Sequence, residues 1–261
     1  MTGLVSFIGV AAFTILFFVG GWWLGGVIRN YSIVDAMWSF AIGLAGGVYA
    51  IAGSGSSSKR FVAGLVAALW GFRLASYLVR RIARHHPQED VRYQKLRDLW
   101  KDRVVASFFW FFLSQGVSVL FLSLPYFLIA QDNTSWSVFE SIGLTIIVIG
   151  LSGEFMSDYQ MVRFKKSGIR SGGVCQEGLW KYSRHPNYFF EMVFWVGLYV
   201  FACGSAWGWA TLFAPVTITY LLLNVTGIPP TEALALQSKG EAYRLYQRTT
   251  SAFIPLPPKS I

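Results

Sequence analysis

From Val104 to Ala130 the chain carries no Asp, Glu, Lys, Arg or His. Further stretches are nearly as bare: Leu4–Val27, Val34–Ala52, Phe61–Val79, Val138–Met156, Tyr188–Ala206 and Trp209–Gly227. A helix needs about 20 apolar residues to cross the ~30 Å hydrocarbon layer, and each stretch is close to that length. Charged residues make up 13% of the chain and apolar residues 54%, whereas soluble domains carry about 25% charged residues. Mean hydropathy is +0.47. The sequence therefore predicts an all-α integral membrane bundle of about seven transmembrane helices. The first stretch is read as a retained helix, because Met1-Thr2-Gly3-Leu4 lacks the positive leader of a signal peptide.

The basic residues orient the bundle. Net charge is +9, and the cations cluster in Arg80–Arg103, in Arg163–Arg184 and in the tail from Lys239 to Lys259. With an odd number of spans these segments share one side. The turns at Gln131–Ser135 and Gly204–Gly208, which lack Lys and Arg, share the other. The positive-inside rule then puts the C-terminus in the cytoplasm and the N-terminus outside. Lys59 and Arg60 are the exception. Nucleic acid is excluded as a partner, since the cations lie in short loops between apolar spans. Cys175 and Cys203 are the only cysteines; they form no CxxC or Cys/His cluster, so no metal site and no disulfide framework is expected. Nothing repeats, and residues 1–261 read as one membrane domain. Thr231–Tyr246 is predicted to be a short amphipathic helix on the cytoplasmic face.

An ionisable side chain within a span costs about 2.5–3.5 kcal/mol on insertion scales and is a functional candidate. Asp35, Arg73, Glu140, Glu154, Asp158 and Glu191 qualify. Glu140 is read as interfacial. Asp35 and Arg73 lie toward the same ends of adjacent spans and are expected to pair. The aromatic run Phe108–Phe112 reads as packing and lipid contact, and Asp98, Lys101 and Asp102 read as a solvated helix face.

Chemistry is densest from Gly178 to Glu191. Pro186 suits the first turn of a helix. Arg184, His185 and the free amides of that turn would converge on an anion such as phosphate. Asn187 offers a donor and an acceptor, and Glu191 follows one turn later. The plainer reading is a capped helix start with a snorkelling Arg. Trp180-Lys181-Tyr182-Ser183-Arg184-His185-Pro186-Asn187-Tyr188 and Glu191 resemble the signature of the steroid 5-alpha-reductase superfamily. Ser157-Asp158-Tyr159, with Arg163, Lys165 and Lys166, is similar to its cofactor segment. Glu232, Tyr243, Tyr246 and Arg248–Pro255 are similar to its C-terminus. Val34–Trp38, Trp70–Arg73 and Glu89–Tyr93 are similar to an uncharacterised bacterial branch.

The resemblance implies a membrane reductase that uses NADPH to saturate a carbon–carbon double bond conjugated to a ketone, in a steroid-like or other lipid substrate. By position, Asp158, Arg163, Lys165, Arg184, His185, Asn187, Tyr188, Glu191, Glu232, Tyr243 and Tyr246 would hold the cofactor. Residues 1–130 would then form the substrate side and 131–261 the cofactor-binding region, facing the cytoplasm of a bacterial inner membrane. No GxGxxG follows a strand, so a Rossmann site is not available. The steroid enzymes use a Glu and a Tyr on early spans to polarise the carbonyl. Here Trp70 stands at the Tyr position and the first three spans hold no Glu, which leaves Asp35 and Tyr77 as catalytic candidates. Arg-His-Pro followed by Tyr also occurs in membrane methyltransferases that use S-adenosylmethionine, the leading alternative. A non-enzymatic lipid-binding membrane protein is the second.

Overall fold

The computed structural model describes residues 2–167 and 173–259; Arg170, one of the expected cations, lies outside them. Among the described residues there is no strand, only an isolated bridge between Ser183 and Ser251. Six helical stretches are long and apolar enough to cross a membrane: Gly3–Val27, Ile33–Ala52, Ser57–His85, Val91–Gln131, Val138–Lys166 and Gly208–Lys239. The protein is an all-α, multi-pass membrane bundle. Helix α8 (Pro186–Ala202) is a shorter apolar helix of 17 residues. At 1.5 Å per residue it reaches about 25 Å, just under the hydrocarbon thickness.

The chain divides into two compact units, Met1–Ser137 with Ala202–Thr211, and Val138–Phe201 with Leu212–Ile261. The first contains α1 (Thr2–Val27), α2 (Ile33–Ala52), α3 (Ser57–His85), α4 (Val91–Trp100), α5 (Val104–Leu122) and α6 (Leu124–Gln131). The stretch expected as one fourth span breaks at Ser123, and Pro125 falls in the first turn of α6, where a missing N–H costs least. Helix α3 continues past the expected Val79 to His85 and ends on Arg84 and His85, cations that complement its C-terminal dipole.

Helices α2 and α3 cross at Gly43 and Gly71. A Cβ on Gly71 would sit 2.6 Å from the Gly43 Cα, so only small residues permit this approach. Phe108 and Phe112 are fully buried, and Tyr31 stacks on Phe108 at 3.9 Å. Trp110, between them, is exposed. One run of aromatics thus serves both core and lipid surface, as a helical period requires.

Lys59 explains its own violation of the charge asymmetry. Its side chain is 0% exposed and its Nζ donates to Asp132 Oδ2 at 2.6 Å and to Thr134 Oγ1 at 2.8 Å. A cation already neutralised inside the protein exerts no pull on topology.

The second unit contains α7 (Val138–Lys166), α8, α9 (Phe213–Tyr220), α10 (Ile228–Lys239) and α11 (Glu241–Thr249). The buried face of α7 reads Glu140, Gly143, Ile147, Gly150, Glu154, Ser157, a helical stripe. Added Cβ atoms at Gly143 and Gly150 would lie 2.3 Å from the Phe201 nitrogen and 2.6 Å from the Phe194 nitrogen. The two helices therefore touch backbone to backbone. Glu140, expected at the interface, is instead fully buried at 0% exposure, because it heads this same stripe. The amphipathic tail helix expected over Thr231–Tyr246 is two helices. Gly240, at φ +54°, breaks it, a conformation that Gly adopts without steric cost.

Removing one partner of a buried ion pair strands the other, at about 3–5 kcal/mol. Lys59→Met should therefore lower stability by about that much, and adding Asp132→Leu should restore a large part of it. Burial pushes the Asp132 carboxyl up, but the hydrogen bonds from Lys59 and Thr134 outweigh it and hold it below the usual carboxylate range. A depressed carboxylate stabilises fully above its unfolded value, near 4, and loses that contribution as pH falls through its folded value. Thermal unfolding in detergent between pH 7 and 3 should show wild type converging on Asp132→Asn at the acid end. A constant gap would exclude this pair as the source.

Candidate functional site

The polar end of the second unit is assembled from three segments far apart in sequence. A 3₁₀ turn, Gly178–Lys181, precedes α8. The Trp180 indole N–H donates to the Ser157 carbonyl at 3.0 Å, and the Leu179 amide donates to Gln160 Oε1 at 2.9 Å, which fixes the turn to α7. The C-terminal segment runs beside it. The Arg184 amide donates to the Ser251 carbonyl at 2.8 Å, the Leu256 amide to the Tyr182 carbonyl at 3.0 Å, and the Ser183 hydroxyl to the Phe253 carbonyl at 2.7 Å.

Glu232, in the first turns of α10, is the hub. Arg184 Nε donates to its Oε1 at 2.7 Å, His185 Nε2 lies 3.2 Å from the same oxygen, and Gln247 Nε2 donates to Oε2 at 2.8 Å. The Tyr243 hydroxyl completes the ring at 3.5 Å. Arg184 also donates through one NH1 nitrogen to the carbonyls of Gln247 at 3.1 Å and Thr250 at 2.6 Å. Its planar guanidinium thus ties α8 to α10 and α11 in directions a lysine cannot match. Tyr246 donates to the backbone carbonyls of Trp180 and Ser183. Burial, with the Glu232 charge second, pushes the Tyr243 phenol well above its ordinary value. Burial and the neighbouring Cys175 do the same for Tyr246. Both phenols stay protonated donors at any physiological pH.

The structure thus brings Arg184, His185, Glu232, Tyr243 and Tyr246 together, as the sequence suggested, but it turns their polar atoms toward one another. Arg184 and His185, expected to face an anion with the first-turn amides of α8, face Glu232. Glu191 is buried and accepts from the Trp195 indole at 2.9 Å. Tyr188 stacks on His185 and meets the Thr231 hydroxyl at 3.2 Å. What remains for a ligand is a different subset. Asn187 Oδ1, in the first turn of α8, is buried and has no hydrogen-bond partner among the described residues. Arg163 and Lys165, on the last turns of α7, are exposed, while Asp158, half-buried one to two turns before them, is not among the open groups. Lys239, not foreseen as a site residue, lies close enough to Lys165 for each to feel the other's charge, and its Nζ is 6.0 Å from the Tyr243 ring. Gln247 was also missed. Lys239 falls seven residues after Glu232 on the same face of α10, a helical spacing that could have marked it, whereas Gln247 reaches the site only through the break at Gly240.

In the first unit, Arg92 and Tyr93 hold the Asp35 carboxylate, not the expected Arg73. Arg92 donates to Oδ2 and the Tyr93 hydroxyl to Oδ1, both at 2.6 Å. Asp90 receives Arg92 as well, and Glu89 accepts the Tyr31 amide at 2.6 Å and Arg97 Nε at 2.5 Å. Tyr77, the other catalytic candidate, lies on α3 with 40% exposure. The run Glu89–Tyr93 was the available signal for these partners, since it stacks acids and bases beside a tyrosine.

A family described as a protein of unknown function, DUF1295, matches residues 21–250, most of the chain. This chain belongs to the DUF1295 family. An uncharacterized protein of Schizosaccharomyces pombe is 24% identical over 255 residues, spanning 87% of this DUF1295 chain and 73% of its own. No solved structure matches.

The Glu232 hub gives the DUF1295 chain a measurable coupling. Glu232→Gln should cost about 2 kcal/mol of stability in detergent, the scale of a hydrogen bond to a charged group. Arg184→Gln should cost a similar amount, and the double variant distinctly less than the sum. Strict additivity of the two unfolding midpoints would show that Arg184 and Glu232 act independently.

Proposed function

We propose that this DUF1295 chain is a membrane-embedded reductase that takes NADPH at the polar end of its second unit. There it would saturate a carbon–carbon double bond conjugated to a ketone in a lipophilic substrate. The observation that carries the reading is the charge left open beside the Glu232 hub. Lys165 and Lys239 sit within reach of each other's field and form no ion pair among the described residues. Two mutually repelling cations on a rigid frame gain from a phosphate between them. The likeness of Trp180–Glu191 to the steroid 5-alpha-reductase signature supports the same reading.

The residues present fit such a cofactor. Arg163, Lys165 and Lys239 supply positive charge for its phosphates. Asn187 Oδ1, a buried acceptor with no donor among the described residues, suits an amide N–H such as that of a nicotinamide carboxamide. NADPH, when bound, supplies a hydride. The protein does the rest: Arg184, His185, Gln247 and Glu232 hold the frame rigid, and Tyr243 and Tyr246 remain neutral donors. Asp35, the acid that the sequence offered for the substrate carbonyl, accepts from Arg92 and Tyr93 on both oxygens, and a carboxylate held this way has no proton to donate to a carbonyl oxygen. The positive-inside bias of the cationic loops supports a cytoplasmic cofactor end.

One observation favours the S-adenosylmethionine reading. Arg184 and His185, the cations nearest the first turn of α8, are spent on Glu232 and leave less charge for phosphates there. Thermal shift of the detergent-purified protein separates the cases, since a ligand at 100 times its Kd adds about 2.7 kcal/mol. NADPH should stabilise strongly and NADH weakly, and Lys165→Gln/Lys239→Gln should bring NADPH down toward NADH. A response to S-adenosylmethionine alone transfers the site to methyl transfer. Silence toward all three ligands leaves a lipid-binding protein.

A further inference from the structure

A groove of the first unit shares no residue with either site described above. It has a volume of about 690 Å³ and is formed where α1 meets the start of α5, with Trp22, Lys101, Asp102, Arg103, Val105 and Phe109 in its walls. Its two halves differ chemically. Residues 91–103 hold Arg92, Lys95, Arg97, Asp98, Lys101, Asp102 and Arg103, and no charge follows until Asp132. The groove therefore straddles the level at which the polypeptide passes from water to hydrocarbon.

The apolar wall is held in place. The Trp22 indole donates to the Val105 carbonyl at 3.0 Å, and its ring meets Phe109 edge-on with centroids 5.2 Å apart. Tryptophan with its N–H satisfied at the interface is the side chain that lines lipid glycerol and upper acyl carbons. The polar wall is unspent. Lys101, Asp102 and Arg103 are exposed and make no ion pair among the described residues. Lys101 has φ +39° and ψ −104°, a conformation L side chains rarely adopt. Strain retained at one residue of an otherwise ordinary helix junction marks a position held for a purpose. Lys101 and Asp102, read from sequence as part of a solvated helix face, instead edge a cavity.

We propose that this groove is a binding site for one anionic glycerophospholipid of the surrounding bilayer. The phosphodiester sits between Lys101 and Arg103, and an acyl chain descends along Trp22, Val105 and Phe109. Three properties select that occupant. The polar wall sums to one net positive charge, two cations against Asp102, which matches a single phosphodiester. The apolar wall continues into a lipid-facing helix, so the chain has an exit that a soluble phosphate would not use. A groove of this size falls within the range of small-ligand sites, about 300–1,000 Å³; it takes a headgroup and glycerol and leaves the acyl tails to the membrane. The site is independent of the reductase reading, because it shares no residue with the cofactor end.

Native mass spectrometry of the intact protein in detergent tests it, by titration with phosphatidylglycerol and with phosphatidylcholine of the same chains. One phosphatidylglycerol should be retained in preference to phosphatidylcholine. Each cation near a membrane surface contributes roughly a fivefold factor, so Lys101→Gln/Arg103→Gln should weaken that retention about twenty-five-fold. Phosphatidylcholine retention should not change. Equal retention of the two lipids by the wild type, or an unaltered phosphatidylglycerol affinity in the double variant, overturns the proposal. Should the double variant fail to fold, the wild type still decides: phosphatidylglycerol should raise its unfolding midpoint, and added salt should remove the gain. A gain indifferent to salt, or one reproduced by inorganic phosphate alone, defeats the site.

Discussion

The ion pair between Arg184 and Glu232 organises the second unit. Alone it would be a costly thing to build, since both groups are nearly withdrawn from water and desolvation of such charges commonly exceeds their attraction. It is sustained because both oxygens of the carboxylate and two nitrogens of the guanidinium are used. His185, Tyr243 and Gln247 share the carboxylate with Arg184, while the guanidinium caps carbonyls of the C-terminal segment. A saturated hub of this kind fixes geometry more than it adds net stability. It holds the last turns of α7, the first turn of α8 and the α10–α11 break in one arrangement, and the open acceptor on Asn187 and the cations of Lys165 and Lys239 inherit their places from it.

The same rule governs charge elsewhere in the bundle. Lys59 is buried with Asp132 and Thr134, and the half-buried Asp35 is held by Arg92 and Tyr93. Lys59 and Asp35 each reach a partner of opposite sign from a different helix or loop. Glycines do the complementary work. Gly43 with Gly71, and Gly143 with Gly150, let backbones meet where the hydrophobic effect offers no drive, because lipid is as apolar as the helix surface. Packing and neutralisation together specify which helix lies beside which.

Much of this was legible from the sequence. The charge-free runs identified the helices, since the cost of exposing a backbone to lipid leaves almost no other structure. The charged ends of α3 and α7 were not, because a helix continues into water wherever its residues tolerate it. Glu140 was misplaced for a related reason: position along a span says how deep a residue lies, but only the helical phase shared with Gly143 and Gly150 says that it faces inward. The residue set around Glu232 was visible through the resemblance, yet the direction of each side chain was not. Sequence similarity transmits which residues gather, and hydrogen-bond geometry decides which of them remain open to a ligand. Tyr93 and Gln247 needed the fold, as both reach their neighbours through turns that no periodicity encodes.

The clamp on Arg184 also sets an order of events during synthesis. Helices α7 and α8 leave the ribosome well before the stretch from Glu232 to Leu256 that satisfies the guanidinium and the carbonyls around it. Until that stretch arrives, Arg184 borders an apolar helix with no anion to meet, a reason for the nascent chain to keep this end in contact with water. A chain interrupted before Glu232 would therefore leave the Arg184 guanidinium without its carboxylate at the polar end of the second unit.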